Sequence, residues 1–181
     1  MDSVLETARL LLRPPEESEV ARFAPLIGNF AVAKNLSIVP YPYTETDGLT
    51  WVAKMRSERA NGGDYAFTLI RKEDDALIGV CAVHPSSDFA FGYWIGEPYW
   101  GNGYATEAGR RVARFAFEAL GAETLRAGFM HDNPASGRVL TKLGFSHTHD
   151  EAYRCLARGE DVPAHRMALT RERFNSINVT P

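Results

Sequence analysis

Tyr93-Trp94-Ile95-Gly96-Glu97-Pro98-Tyr99-Trp100-Gly101-Asn102-Gly103-Tyr104-Ala105-Thr106-Glu107-Ala108 decides the fold. The run from Tyr93 to Ile95 is aromatic and β-branched, as a strand would be. From Tyr104 onward, Ala105, Ala108, Val112, Phe115, Ala116, Ala119 and Leu120 recur at spacings of three and four, which predicts a helix over 104–120 closed by Gly121. Between the two, Gly101 and Gly103 let the chain turn sharply and leave no Cβ in the way of a ligand. The first N–H groups of the helix have no partner within it, so this end suits a phosphate. A dinucleotide-binding fingerprint would need a third glycine where Thr106 stands, preceded by a parallel strand-helix-strand unit. A Walker loop would need Gly-Lys-Ser/Thr, which is absent.

Upstream, three β-rich runs at 65–71, 77–84 and 89–95 are separated by Glu73-Asp74-Asp75 and by Pro85-Ser86-Ser87-Asp88, which predicts an antiparallel meander. Before them lie a strand at 9–13, an acid-opened helix over 16–27, a short helix over 31–36 and a helix over 44–60 stopped by Asn61-Gly62-Gly63. Downstream, a fifth strand at 125–130 leads to a helix over 134–143 ended by Gly144, then strands at 145–153 and 165–169. The expected fold class is α+β, with a mixed and mostly antiparallel central sheet flanked by helices. No internal repeat and no linker-like tract divides the chain, so residues 1–181 are expected to form one domain.

Composition narrows the partners. The 181 residues carry 20 Lys+Arg against 23 Asp+Glu, a net charge of −3, which offers no positive field for a nucleic-acid backbone. A chain of this length can bury about 70% of its unfolded surface around one core without a metal or disulfide staple. Cys81 and Cys155, the only cysteines, lie too far apart in sequence for a redox pair and too few for a cysteine-rich zinc site. His147 and His149, two apart on an expected strand, would share a face, but no carboxylate or cysteine completes a ligand set there, so no metal is expected. The acidic start Met1-Asp2-Ser3-Val4-Leu5-Glu6 is unlike a secretory signal, and no run of 18 apolar residues occurs. The expected setting is therefore the cytoplasm, with no membrane partner.

A second segment, Asn133-Pro134-Ala135-Ser136-Gly137-Arg138-Val139-Leu140-Thr141-Lys142-Leu143-Gly144-Phe145, reads by itself as a capped amphipathic helix with Asn133 as the cap. Taken with residues 93–108, it resembles the GNAT superfamily of N-acetyltransferases. The family's pyrophosphate loop, Arg/Gln-x-x-Gly-x-Gly/Ala, is matched by Pro98-Tyr99-Trp100-Gly101-Asn102-Gly103. The Trp-Gly-x-Gly-Tyr-Ala-Thr-Glu-Ala form is similar to that of the ribosomal-protein N-terminal acetyltransferases. Glu6-Thr7-Ala8-Arg9-Leu10-Leu11-Leu12-Arg13-Pro14 resembles the opening strand of that subgroup. Pro98 departs from the usual Arg or Gln, leaving backbone amides as the main phosphate ligands.

The resemblance implies acetyl-CoA as acetyl donor, lying in a splay between the fourth and fifth strands of the count above. It implies donor contacts from Trp94, Ile95, Trp100, Gly101, Asn102, Gly103, Tyr104, Ala105, Thr106, Asn133, Ser136, Arg138 and Lys142. A backbone N–H near Trp94 or Ile95 would stabilise the oxyanion, and Ser136 matches the family's thiolate partner. Many subgroup members carry a glutamate base where Ala90 stands, so Asp88, Glu97, His131 and Asp132 remain as candidates. Glu97 and His131 join Ser136 as expected catalytic residues, His131 because its pKa of about 6.5 suits proton acceptance near neutrality. Tyr41, Tyr43 and Trp51 are candidates for the acceptor wall. The expected acceptor is a primary amine, a protein N-terminus ahead of a small amine, attacked in a ternary complex by a monomer or homodimer. A non-catalytic acyl-CoA sensor is the reading of another class, and Ala90 keeps it open.

Overall fold

In a computed structural model, which describes residues 4–178, the strands are β1 (Leu5–Glu6), β2 (Leu10–Arg13), β3 (Tyr65–Arg71), β4 (Ala76–His84), β5 (Ala90–Ile95), β6 (Thr124–Met130), β7 (Ser146–Cys155) and β8 (Glu160–Thr170). The helices are α1 (Val20–Ile27), α2 (Phe30–Ala33), α3 (Glu45–Ala60), α4 (Tyr104–Glu118), α5 (Pro134–Leu143) and α6 (Arg171–Asn178). One sheet holds all eight strands in the order β1-β2-β3-β4-β5-β6-β8-β7. Every neighbouring pair is antiparallel except β5 and β6.

Both faces of the sheet's first half are covered, which is why β3 and β4 are apolar almost throughout instead of alternating. On one face Tyr65, Phe67 and Leu69 meet Ala108, Val112, Phe115 and Ala116 of α4, with Phe67 edge-on to Phe115 at 5.5 Å. On the other, Ile70 and Leu77 pack under Val20, Phe23 and Val52 of α1 and α3. A buried carboxylate holds the entry to α1. Glu19, 2% exposed, accepts from Arg13 at 2.8 and 3.0 Å, from the Thr68 hydroxyl at 3.1 Å and from the Glu16 N–H at 3.0 Å. Burying that charge is tolerable because it is paired and its oxygens are hydrogen-bonded.

The second half departs further from expectation. β8 begins five residues before the expected 165–169 and β7 ends two past the expected 145–153; β7 is exposed along nearly its whole length and shows no apolar alternation to read. The helix α6 carries one buried anchor, Phe174, against Phe117 at 5.1 Å, and such a lone anchor leaves no periodicity in the sequence. The short helix expected over 31–36 is the single turn α2, capped by the Asn29 side chain on the Ala31 N–H. A two-residue strand, β1, precedes the expected first strand and folds back on it. With β1 included, the fourth and fifth strands of the sequence count are β5 and β6.

Candidate active site

β5 and β6 are joined at one register position, Ala90 opposite Arg126, with the Arg126 N–H donating to the Phe89 carbonyl. Beyond it the strands part, and the cleft between them has a volume of about 990 Å³. Its floor is Phe91 to Ile95 and Ala127 to Met130. One end opens on the loop from Glu97 to Thr106 and the first turns of α5, the other on residues 31–37 with Tyr153 and Arg166 of the β7–β8 hairpin.

At the loop end, Gly101 and Gly103 take φ of +78° and +79°, a left-handed conformation that a side chain strains. A Cβ on Gly101 would meet nothing within 4 Å, and one on Gly103 only the tip of Arg9 at 3.6 Å. The space above the loop is open, as a cradle for a phosphate requires. The loop is tied from its far side. Arg9 donates to the Asn102 carbonyl at 3.0 Å, pairs with Glu107 at 2.6 Å and lies 4.5 Å over the Tyr104 ring. Glu107 also accepts from the Thr7 hydroxyl at 2.5 Å and from the Arg9 N–H at 2.9 Å. Burial alone would raise the Glu107 pKa, but the Thr7 and Arg9 donors outweigh it and hold the carboxyl below its ordinary value. The Trp100 indole N–H donates to the Ile95 carbonyl at 2.6 Å, bracing the loop on the end of β5.

Strand alternation sorts Trp94 from Ile95. The Gly96 N–H donates to Ile78 on β4, so the Trp94 N–H faces β4 as well, while the N–H of Ile95 faces the splay. Their side chains divide too: Trp94 packs beneath α1 and α3, and Tyr93 packs on the α4 side. The Tyr93 hydroxyl lies 2.9 Å from the Ser136 hydroxyl. Burial pushes the Tyr93 pKa up to about 12 against the opposing effect of that hydrogen bond, so the phenol stays protonated. Tyr93 is a functional candidate that sequence reasoning passed over, although its alternation with Trp94 pointed to the α4 side. Asn133 caps α5 by accepting from the Ser136 N–H at 3.2 Å, and this orients Ser136 toward the cleft. Arg138 and Lys142 are exposed on the same helix at the cleft's edge.

The base candidates separate. Glu97 lines the cleft, where it accepts from the Asn29 carboxamide at 2.5 Å. His131 does not line it: its backbone N–H donates to the Pro163 carbonyl, and the residue borders a second hollow across α5. Asp88 is ion-paired with Arg126, and Asp132 with Arg158 at 2.7 Å, which holds the Asp132 carboxyl below its ordinary value. Tyr41, Tyr43 and Trp51 lie outside the cleft. Trp51 meets Phe23 edge-on in the α1–α3 core, Tyr43 packs on the same core, and Tyr41 contacts Phe30 at the surface. Residues 31–37 line the cleft instead, fastened to the hairpin by the Leu156 N–H on the Ser37 carbonyl and by Arg158 on the Lys34 carbonyl. Cys155 is buried there with its thiol on the Lys34 and Leu36 carbonyls, while Cys81 is buried in β4 with its pKa raised by burial.

The expected histidine pair also changes. A register shift between His147 and His149 puts Asp150, not His149, on the face of His147, and Asp150 lies opposite His165. The expectation that no carboxylate joins this group is therefore overturned.

Residues 9–146 match the acetyltransferase (GNAT) domain. The chain belongs to that family and is an acetyl-CoA-dependent N-acetyltransferase. It is 29% identical over 161 residues to the uncharacterized N-acetyltransferase YoaA of Bacillus subtilis (strain 168), covering 80% of this chain and 84% of the relative. Its fold is shared with the ribosomal-protein-S5-alanine acetyltransferase from Vibrio fischeri, with a TM-score of 0.82 at 16% identity over 96% of this chain and 99% of that one. It is also shared with RimL, a ribosomal L7/L12 alpha-N-protein acetyltransferase solved with coenzyme A, with a TM-score of 0.79 at 17% identity over 93% and 98%. At these identities the two structures speak for the fold. Among the described residues, no helix is long and apolar enough to cross a membrane.

Proposed function

We propose that this N-acetyltransferase moves acetyl from acetyl-CoA onto the N-terminal amine of a protein, in a ternary complex held across the cleft. The observation that carries the reading is one cleft at the parting of β5 and β6 whose lining includes both the loop of residues 97–106 and residues 31–37, so a donor and an acceptor would meet in it. Bound acetyl-CoA supplies an acyl group already activated as a thioester. The amides of residues 101–106 would hold its pyrophosphate at the start of α4, with Arg138 and Lys142 beside its other phosphates. The Ile95 N–H would stabilise the oxyanion. The amine nitrogen bonds the acetyl carbon, the carbon–sulfur bond breaks, and the electron pair leaves on sulfur. Ser136 would meet that sulfur with its hydroxyl, held in place by Tyr93 and by the Asn133 cap. Glu97, through water, would take the proton released by the amine. An α-amino group has a pKa of about 8 and is partly neutral already, so a water-relayed carboxylate suffices for it.

A peptide acceptor is favoured over a small amine by the rim of the acceptor mouth. Ile38 and Leu156, 80% and 48% exposed, flank the Ser37–Leu156 tie, and Phe30 with Tyr41 stands beside Ala31. Exposed apolar side chains next in sequence to the cleft-lining residues 31–37 would suit the side chains that follow a terminal amine. The test is thiol release from acetyl-CoA with peptides bearing free or blocked N-termini, amino acids, polyamines and aminoglycosides. Transfer to free N-termini and none to blocked ones is expected. Transfer confined to small amines would overturn the acceptor assignment, and binding of acetyl-CoA with no transfer to any amine would leave a sensor.

A further inference from the structure

On the outer side of α5, away from the cleft, β7 and β8 bring two imidazoles to one carboxylate oxygen. Oδ1 of Asp150 lies 2.7 Å from Nε2 of His147 and 2.7 Å from Nδ1 of His165. All three ligand atoms lie within 4.8 Å of one another, and the two imidazole rings meet edge to face with centroids 5.7 Å apart. The bulge is what makes this possible. In an unbroken strand His147 and Asp150 would point to opposite faces; the shift before His149 turns Asp150 onto the His147 side, directly across from His165. Phe129 of β6 packs against the His165 ring at 5.0 Å and limits its rotation. The group opens on a hollow of about 640 Å³, so an ion has a way in and a place for an outer ligand.

We propose that His147, Asp150 and His165 form a binding site for a divalent transition metal of the zinc or nickel type. Two imidazoles and a carboxylate suit zinc, nickel, cobalt or copper and not magnesium or calcium, which prefer oxygen throughout. Three protein ligands leave the remaining positions to water or to an outside ligand. On binding, each imidazole would give its Asp150-facing nitrogen to the metal and carry its proton on the other nitrogen. The ion would clamp β7 to β8, the hairpin that also carries Tyr153 and Arg166 to the acceptor mouth. The site stands independently of the acetyl acceptor's identity.

The test is calorimetric titration of the untagged full chain with ZnCl₂, NiCl₂ and MgCl₂, with Co²⁺ visible absorption as a spectroscopic readout. Zinc and nickel should bind one to one and magnesium should not. His147→Ala, His165→Ala and Asp150→Asn should each weaken zinc by at least about tenfold, since even outer contacts of a metal site contribute on that scale. At a hundredfold excess over Kd, zinc should raise the melting temperature by about 5 °C or more. His149→Ala, on the other face, should leave binding unchanged. These side chains are exposed or half-exposed, and circular dichroism would verify that each variant is folded. Absence of saturable zinc binding, zinc binding that survives the double His147→Ala/His165→Ala change, or binding lost with His149→Ala would each overturn the site and leave a plain hydrogen-bonded trio.

Discussion

The proposed donor end and the proposed acceptor end of the cleft are built by different means. At the donor end the working surface is backbone: two glycines in left-handed conformation, a helix start and a capped second helix, all within residues 93–145. Side chains serve there mainly to hold the backbone, as Arg9, Glu107 and Trp100 do. At the acceptor end, residues 31–37 face a hairpin more than a hundred positions away, and the joints are single side-chain or amide contacts onto carbonyls. The donor surface needs particular φ values, which few residue types accept. The proposed acceptor surface needs shape and a few anchors, which many residue types can supply.

The sharpest way to break this contrast is at Gly103. Gly103→Val should abolish coenzyme A binding in calorimetry, because a branched side chain does not hold φ of +79° and the loop amides would be displaced. The left-handed strain should cost about 1 to 3 kcal/mol and lower the melting temperature without unfolding the protein. A folded Gly103→Val variant with native affinity would remove the loop from donor binding. Next is the sulfur end. Ser136→Ala should slow single-turnover transfer at saturating acetyl-CoA by about 30- to 1000-fold, with little change in its KM or in the melt. Tyr93→Phe should cost about tenfold, and the double variant less than the product, because the two hydroxyls act through one hydrogen bond. Full additivity would separate Tyr93 from Ser136.

The proton acceptor gives a third test. Glu97→Gln should reduce turnover by about 10²-fold and remove the acid limb of the pH profile, whereas His131→Ala should keep both rate and limb. The reverse result would return the role to His131. At the acceptor end, Arg158→Ala frees the hairpin from Asp132 and the Lys34 carbonyl. It should raise the acceptor KM several-fold, on the scale of about 1 kcal/mol for a half-exposed pair, with the acetyl-CoA KM unmoved. An equal rise in both KM values would show that the two ends are not separable. The smallest effect concerns Glu107, whose carboxyl is held below its ordinary value by Thr7 and Arg9. A depressed folded pKa means stability that is present above the unfolded value of about 4.3 and is lost as pH falls through the folded value. Glu107→Gln should therefore be less stable than the parent at pH 7, by about 1 kcal/mol, and equal to it near pH 2 in thermal melts.

Sequence alone determined whatever depends on neighbours along the chain. Gly101 and Gly103 before an amphipathic run announce a turn onto a helix, Asn133 and Pro134 announce a cap, and β3 to β5 announce a meander, because turn chemistry and periodicity are local. The loop and cap that the proposal assigns to the donor were legible for the same reason. Tertiary structure decided the rest. The pairing of Tyr93 with Ser136, the placing of Glu97 in the cleft and His131 outside it, and the cleft wall at residues 31–37 all join segments far apart in sequence. Such contacts leave no period behind. The bulge in β7 is the plainest case. Alternation put His147 with His149, but one extra residue reversed the faces and gave His147 the company of Asp150 and His165, since a shift of one position moves every later side chain to the opposite side of a sheet.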